Sequence, residues 1–383
     1  MSSAEEPSSA GESQPPYRLP RVKHEHQALR RVDGTIQIGG DILGIASAID
    51  DPDGSLWQVI RLVDGTRTAA QLTADSGQPA GTVTAVLAAL QGGGFLEEAA
   101  AAAQDSRLLS AAERERYSRN QAFYRWIDLT PRSSAWSVQE RIKAATVVVI
   151  GLGGGGSSAA LALAASGVGN LHLVDHDQVE LSNLTRQFLY TEADLGRSKV
   201  EAAVARLRAV NSTIGVTGEE VKVEGVADLR RLAARCDVLA LCADQPWELK
   251  HWADTACHEA GIPWVTGGYV GPVTVAQSFA QGGAACFECL HLNSLDLADD
   301  APAPLVTPDE PAPPGNDEIA ASTAVSAGLG GLMLAHAVLA HLTGAPDFGG
   351  RSFQFGLNLV APQEQRYLTG DRRPDCPLCG GRA

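Results

Sequence analysis

The stretch Val147-Val148-Val149-Ile150-Gly151-Leu152-Gly153-Gly154-Gly155-Gly156-Ser157-Ser158 runs four β-branched residues into a glycine cluster, and Asp175 stands 24 positions after the first glycine. Gly151, Gly153 and Gly156 fit G-x-G-x-x-G, with Gly154 and Gly155 between them. Such a loop brings backbone close to a phosphate and aims a helix N-terminus at it, while the acid suits a ribose hydroxyl. Charged residues follow: Asp177, then Arg186 in Leu181-Ser-Asn183-Leu-Thr-Arg186-Gln, then Lys199 in Gly196-Arg-Ser-Lys199-Val. Hydride transfer has no use for an arginine and a lysine just after the ribose acid. Cleavage between α- and β-phosphates does, because negative charge builds there. Asp244 ends the apolar run from Val238, which puts a carboxylate where ligands sit in open α/β sheets. Taken singly, Arg186 and Lys199 also suit a solvated surface, and Asp244 a helix cap.

A second group is made of sulfur. Of seven cysteines, four form the pairs Cys286-Phe-Glu-Cys289 and Cys376-Pro-Leu-Cys379. Two Cys-x-x-Cys pairs fit a Cys₄ tetrahedral zinc site that pins the C-terminal segment to the body; the competing reading is a redox pair. Cys236, Cys242 and Cys257 fall in strand or helix patterns and read as small core residues.

The elements that must position these groups alternate. Strands are predicted at 146–150, 170–174, 214–223, 237–242 and 262–266, and helices at 157–167, 197–210, 226–235 and 246–260. That order implies an α/β fold with a doubly wound, mostly parallel, Rossmann-like sheet. Period-2 strands follow Pro272, Ala298–Pro314 reads as a flexible loop, and Ser352–Leu368 as a hairpin. Ser322–Thr343 reads as a helix apolar all round, suited equally to the core or to a dimer interface.

Ahead of this sheet the chain divides into a disordered tail (1–16), a compact unit (17–98) and an alanine-rich helical linker (99–113), with 114–383 as the main domain. In 17–98, short strands joined at Asp33-Gly34 precede three short helices and a turn at Gly92–Leu96, the layout of a winged helix-turn-helix. DNA binding is the ordinary use of such a unit. Here Thr82–Leu90, in the recognition-helix position, carries no lysine or arginine. A formal charge of −15 further argues against nucleic acid or an anionic membrane as partner. No apolar signal core or membrane span is present, so a cytoplasmic location is expected.

From Arg114 to Gly380 the chain resembles the E1-like, ubiquitin-activating superfamily, especially its bacterial adenylyltransferases for sulfur carriers and for microcin-type peptides. The motifs are Arg116-Tyr-Ser-Arg119-Asn-Gln121, the glycine loop, Leu-Val-Asp175-x-Asp177, Asn183 to Arg186, Lys199, Asp244 and the two cysteine pairs. The resemblance implies ATP and Mg²⁺ as cofactors beside Zn²⁺. Gly151 to Gly156 would cradle phosphate and Asp175 would hold the ribose. Asn183, Arg186 and Lys199 would meet the phosphates, and Asp244 would hold Mg²⁺. Arg119 would act in trans from the second subunit of a homodimer. Two departures stand out: Gln245 where the family usually has Asn, and Gly155 where a branched apolar residue is common. Residues 290–375 hold no cysteine, so no thioester is expected.

The unit 17–98 resembles the winged-helix domains, similar to the chaperone of pyrroloquinoline quinone synthesis, that bind leader peptides. That resemblance implies strand addition of a leader to a sheet edge. The expected function is adenylation of a carboxylate on a ribosomally synthesised precursor peptide. The alternatives are adenylation of a sulfur carrier's Gly-Gly end, or a silent leader-binding scaffold for a cyclodehydratase.

Overall fold

The computed structural model describes residues 17–102, 106, 108–130, 132, 134–282, 284–299, 321–363 and 365–380. The expected tail 1–16 and most of the loop Ala298–Pro314 lie outside them. The chain forms two compact units: 1–110 with 121–137, and 111–120 with 138–383.

The first unit holds β1 (Pro20–Val22), β2 (Leu29–Arg30), β3 (Ile36–Ile38), β4 (Ser47–Ile49), α1 (Ser55–Ile60), α2 (Ala69–Ser76), α3 (Ala80–Gly92), β5 (Leu96–Glu98) and α4 (Ala99–Ala102). Strands β2, β3 and β4 form an antiparallel sheet, with the first pair joined through Asp33-Gly34 as the sequence suggests. The chain after Gly92 does not fold into a hairpin of its own: β5 pairs with β1 instead. Thr68 closes a capping box with Gln71, which fixes where α2 begins. The core of the unit is Ile36, Ile38, Val59, Leu72, Val83, Leu87, Leu90 and Phe95. A second support is ionic: Arg125 bonds both Glu25 and Glu97 at 2.7 and 2.8 Å.

The second unit begins with α5 (Ala111–Arg116). Next come α6 (Ser118–Ile127), whose second half belongs to the first unit, and α7 (Ser137–Ala144). Helices α5 and α6 are separated at Tyr117. That ring is buried, and its hydroxyl accepts from Asn211 Nδ2 at 2.8 Å. Then follow β6 (Thr146–Ile150), α8 (Gly154–Ser166), β7 (Asn170–Asp175), α9 (Lys199–Val210), β8 (Gly215–Glu220), α10 (Val226–Ala233), β9 (Val238–Leu241), α11 (Leu249–Ala260), β10 (Trp264–Val270), β11 (Val273–Phe279), α12 (Phe287–Asp299), α13 (Ala324–Thr343), β12 (Phe353–Asn358) and β13 (Gln365–Thr369). The eight strands lie in the order β13-β12-β11-β10-β9-β6-β7-β8. From β10 to β8 all pairs are parallel, and from β10 to β13 all are antiparallel. The fold is therefore α/β and Rossmann-like, with the strand order reversing between β6 and β9.

Helix α13 is long and apolar enough to span a membrane by length and composition alone, yet 56% of it is buried. It packs on α8, β9, β10 and β11. A carbon added at Gly331 would fall 2.2 Å from the carbonyl oxygen of Gly155, so glycine sets how closely the two helices approach. Val325 and Leu332 remain exposed on its outer side. The core reading of this helix thus applies to its inner face. Helix α12, which starts inside the first cysteine pair, has no counterpart among the sequence expectations.

Candidate active site

Strands β6 and β9 are parallel neighbours from which the sheet continues to opposite sides, to β7 and to β10, so a crevice opens past their C-terminal ends. It measures about 200 Å³ and is lined by Gly151, Gly153, Asp175, Asp177, Lys199 and Asp244, with Val174, Val223 and Leu249 as apolar walls. The loop that forms its floor needs glycine. Gly151 has φ +88°, and a carbon there would fall 2.7 Å from the Ala243 nitrogen. The loop and the carboxylate at the end of β9 are thus packed backbone to backbone.

Asp175 is buried and its oxygens accept from Leu152 N at 2.6 Å and from Asp177 N at 2.8 Å. The acid at the end of β7 therefore holds the glycine loop in place. Tyr190 does the same from the other side, its hydroxyl donating to Leu152 O at 3.0 Å. Burial pushes that phenol above its ordinary range. Lys199 Nζ donates to Asp177 Oδ2 at 2.8 Å. Partial burial pushes the Asp177 carboxyl up, but the bond and charge of Lys199 outweigh it and hold the group below the usual carboxylate range. Asp244 is exposed to the crevice and has no ion or hydrogen-bond partner among the described residues. Asp175 and Asp177 are already engaged, so Asp244 is the lining carboxylate left without a partner among the described residues.

The other expected site residues stand apart from the crevice lining. Asn183 is buried and closes a capping box with Glu180, its Oδ1 accepting from Glu180 N at 3.1 Å. Arg186 lies over the first turn of α8: a carbon at Gly154 would fall 3.5 Å from its Cγ. Its Nη1 donates to Ser182 O at 3.1 Å, while Nε is buried without a partner among the described residues. Gly154, Gly155 and Gly156 are inside α8, which starts three residues earlier than expected. Arg119 is exposed on α6 and does not line the crevice of its own chain. Cys242 departs from its reading as a core residue: it lines the crevice, and burial pushes its thiol up to about 12. Lys222, Val221 and Val223 also line the crevice. They follow β8 with no motif to single them out, and only the topology brings them in.

The four paired cysteines converge. Cys286, Cys289, Cys376 and Cys379 are buried and their sulfurs all lie within 4.8 Å of one another. The Sγ atoms stand 3.8 Å apart between Cys286 and Cys289, 3.5 Å between Cys286 and Cys376, and 3.3 Å between Cys289 and Cys379. Zn–S bonds of about 2.3 Å in a tetrahedron imply S···S near 3.8 Å, so the donor set and its size fit zinc.

Comparisons with known proteins agree with this geometry. The sequence pattern of the ThiF family matches residues 117–378. The pig (Sus scrofa) adenylyltransferase and sulfurtransferase MOCS3 is 34% identical over 248 residues, covering 64% of this chain and 50% of that protein. The chain thus spans about half the length of the first curated relatives it matches. The sulfur carrier protein ThiS adenylyltransferase of Escherichia coli K12 is 31% identical over 254 residues, 63% of this chain and 89% of the relative. Among solved structures, Escherichia coli MccB superposes with a TM-score of 0.76 at 22% identity, over 95% of this chain and 97% of that one. At that identity the likeness is one of fold. Other crystals of that protein are described as complexes with ATP and with MccA.

Proposed function

Because the chain belongs to the ThiF family, we propose that it is an ATP-dependent adenylyltransferase acting on a carboxylate of a ribosomally synthesised peptide. The observation that carries the reaction is the crevice at the β6/β9 switch point, where the glycine loop, Lys199 and an unpartnered Asp244 meet. A peptide carboxylate is already ionised at pH 7, so no general base is needed. Its oxygen attacks the α-phosphorus of ATP, the bond from that phosphorus to the bridging oxygen breaks, and pyrophosphate leaves. The products are an acyl-adenylate and pyrophosphate, with no proton left over. The loop amides and the Lys199 ammonium stabilise the charge on the phosphates, as does Arg186, whose Nε lacks an acceptor. Mg²⁺ held by Asp244 would neutralise further charge at the α-phosphate. Zinc in the Cys₄ cluster would be structural, since all four positions around it are filled by sulfur.

Two features favour a peptide. The fold likeness to MccB runs over 95% of this chain and so includes the first unit, whereas the sulfur-carrier relatives match about 63%. The first unit also has an apolar groove of about 490 Å³, lined by Ile49, Leu56, Ile60, Ala85, Val86 and Ala89. The groove lies beside β4, an edge strand of the β2-β3-β4 sheet. An edge strand beside apolar pockets suits strand addition, and tethering by a leader raises the effective concentration of the core peptide. In this reading the first unit is a winged-helix leader-binding domain. The enzyme works as a homodimer through the outer face of α13, and Arg119 serves the partner's site. Adenylation of a sulfur carrier is the second reading, favoured by the names of the sequence relatives.

Pyrophosphate exchange tests both. Exchange that depends on a precursor peptide, and that is lost in Ala85→Glu without loss of ATP binding, supports the first. Exchange with a Gly-Gly carrier, insensitive to Ala85→Glu, supports the second. No exchange with either substrate sinks both.

A further inference from the structure

Helix α1 of the first unit is flanked by two clefts, and Ile60 lines both. One is the apolar groove beside β4. The other measures about 580 Å³, and its lining includes Arg21, His24, Trp57, Arg61 and Asp64. Asp51 fixes how α1 presents this side: its carboxylate accepts from Leu56 N and from Trp57 N, both at 3.0 Å. Trp57 and Arg61 then stand one turn apart, with Arg61 N donating to Trp57 O at 3.1 Å.

The charges around the second cleft do not cancel. Arg21 is spent on Glu97 at 2.8 Å, and Asp64 on Arg67 at 2.7 Å. Arg61 is exposed and has no ion pair among the described residues. Its Nε donates to Gln58 Oε1 at 3.1 Å, which leaves both Nη groups for a ligand. Trp57 Nε1 likewise has no acceptor among the described residues. Gln27 Nε2 donates to His24 Nδ1 at 3.3 Å, so the ring carries its proton on Nε2. Three donors from two elements thus line one cleft, and its uncompensated charge is positive on a chain of formal charge −15. A guanidinium at a helix C-terminus also offsets the macrodipole, but that role needs neither Trp57 nor a cleft.

We propose that this cleft is a carboxylate subsite for the precursor peptide. An aspartate or glutamate of the leader takes the Arg61 fork, with Trp57 Nε1–H and His24 Nε2–H as further donors. Apolar leader residues fill the groove on the other side of α1. The assignment rests on the peptide reading above. An extended segment rises about 3.3 Å per residue and a helix is about 10 Å wide, so the acid stands roughly three or four residues from the apolar anchors.

The probe is a displayed library of random peptides, selected on full-length wild type, Arg61→Gln and Ala85→Glu. Wild type should enrich peptides that join apolar residues to an Asp or Glu at a fixed spacing. Arg61→Gln should keep the apolar residues and lose the acid. The best wild-type binder, made as a labelled synthetic peptide, should bind Arg61→Gln roughly tenfold more weakly. Its acid-to-amide form should bind wild type more weakly by the same factor, and the two changes together should be no worse than either, because they remove one interaction. Trp57→Phe keeps the ring, removes the N–H and should weaken the acidic peptide but not its amide form. Peptides enriched without an acid, or an acid kept in the Arg61→Gln selection, overturn the subsite and leave the leader groove standing. Acidic peptides lost in Arg61→Gln but kept in Ala85→Glu support the subsite and overturn the groove. No peptide enriched on wild type overturns both.

Discussion

Lys199 Nζ stands 2.8 Å from Asp177 Oδ2, and the lysine side chain is 7% exposed while the aspartate is 52% exposed. A nearly buried ammonium thus keeps one counter-ion at the mouth of the crevice, and an arriving phosphate must compete for it. Lys199→Ala should lower pyrophosphate exchange on the order of 10²-fold. Asp177→Asn should leave Lys199 free for phosphate and tighten ATP binding. Isothermal titration with ATP measures the second. Equal ATP affinity in wild type and Asp177→Asn would show that the pair does not compete with phosphate.

The glycines of the loop are not equivalent. A carbon at Gly156 would fall 1.8 Å from the carbonyl oxygen of Gly151, a clash with backbone that cannot relax without moving the loop. Gly156→Ala should cost about 3 kcal/mol of stability and abolish ATP binding. At Gly155 the nearest atom would be Gly331 N at 4.0 Å, which leaves room. Gly155→Ala should keep ATP binding and gain about 0.5–1 kcal/mol from helix propensity. Thermal melts with and without ATP separate the two.

Periodicity and glycine spacing made the parallel half of the sheet legible, because buried β-branched runs such as Val147–Ile150 and a small-residue helix have few other uses. That Asp175, Lys199 and Asp244 meet at one crevice was legible, since each ends or follows a strand, or opens the next helix. Asn183 and Arg186 were legible as a motif, but their positions were not. Asn183 spends its Oδ1 on the Glu180 backbone, and Arg186 crosses to α8. Neither follows from spacing. Lys222 was hidden because only tertiary topology brings it in: it follows β8, a strand with no motif of its own. Helix α12 was masked by the cysteine pair at its start, whose metal-ligand pattern outweighed the helical one.

The cysteine cluster joins residues 286–289 to the C-terminal tail, which also reaches α12 through Arg373 Nη1 donating to Asn293 Oδ1 at 3.1 Å and packs Leu378 on the core. One zinc per chain is expected by elemental analysis. Cys379→Ser should lose it and lower the melting temperature by about 10 °C or more, from a metal contribution of roughly 5 kcal/mol. Wild type treated with a strong chelator should match that variant. A metal-free protein that melts like the untreated one would rule out a structural metal there.

The first unit should respond to acid through Arg125, which holds Glu25 at 2.7 Å and Glu97 at 2.8 Å with all three side chains no more than 14% exposed. Burial pushes the Glu25 carboxyl up, but its bond to Arg125 prevails and the group sits below the usual glutamate range. A depressed carboxylate stabilises the fold fully above its unfolded pKa, about 4.3, and the contribution is lost as pH falls through the lower folded value. Arg125→Ala leaves two carboxylates facing a gap and should cost about 3 kcal/mol at pH 7. The gap between wild type and Arg125→Ala should then narrow as pH drops below about 4.3 and through the lower folded value of Glu25, because that carboxylate becomes neutral in both proteins. Melting curves at pH 7, 5, 4 and 3 measure it. A difference that stays constant down to pH 3 would mean that Arg125 acts through packing of its stem rather than through its charge.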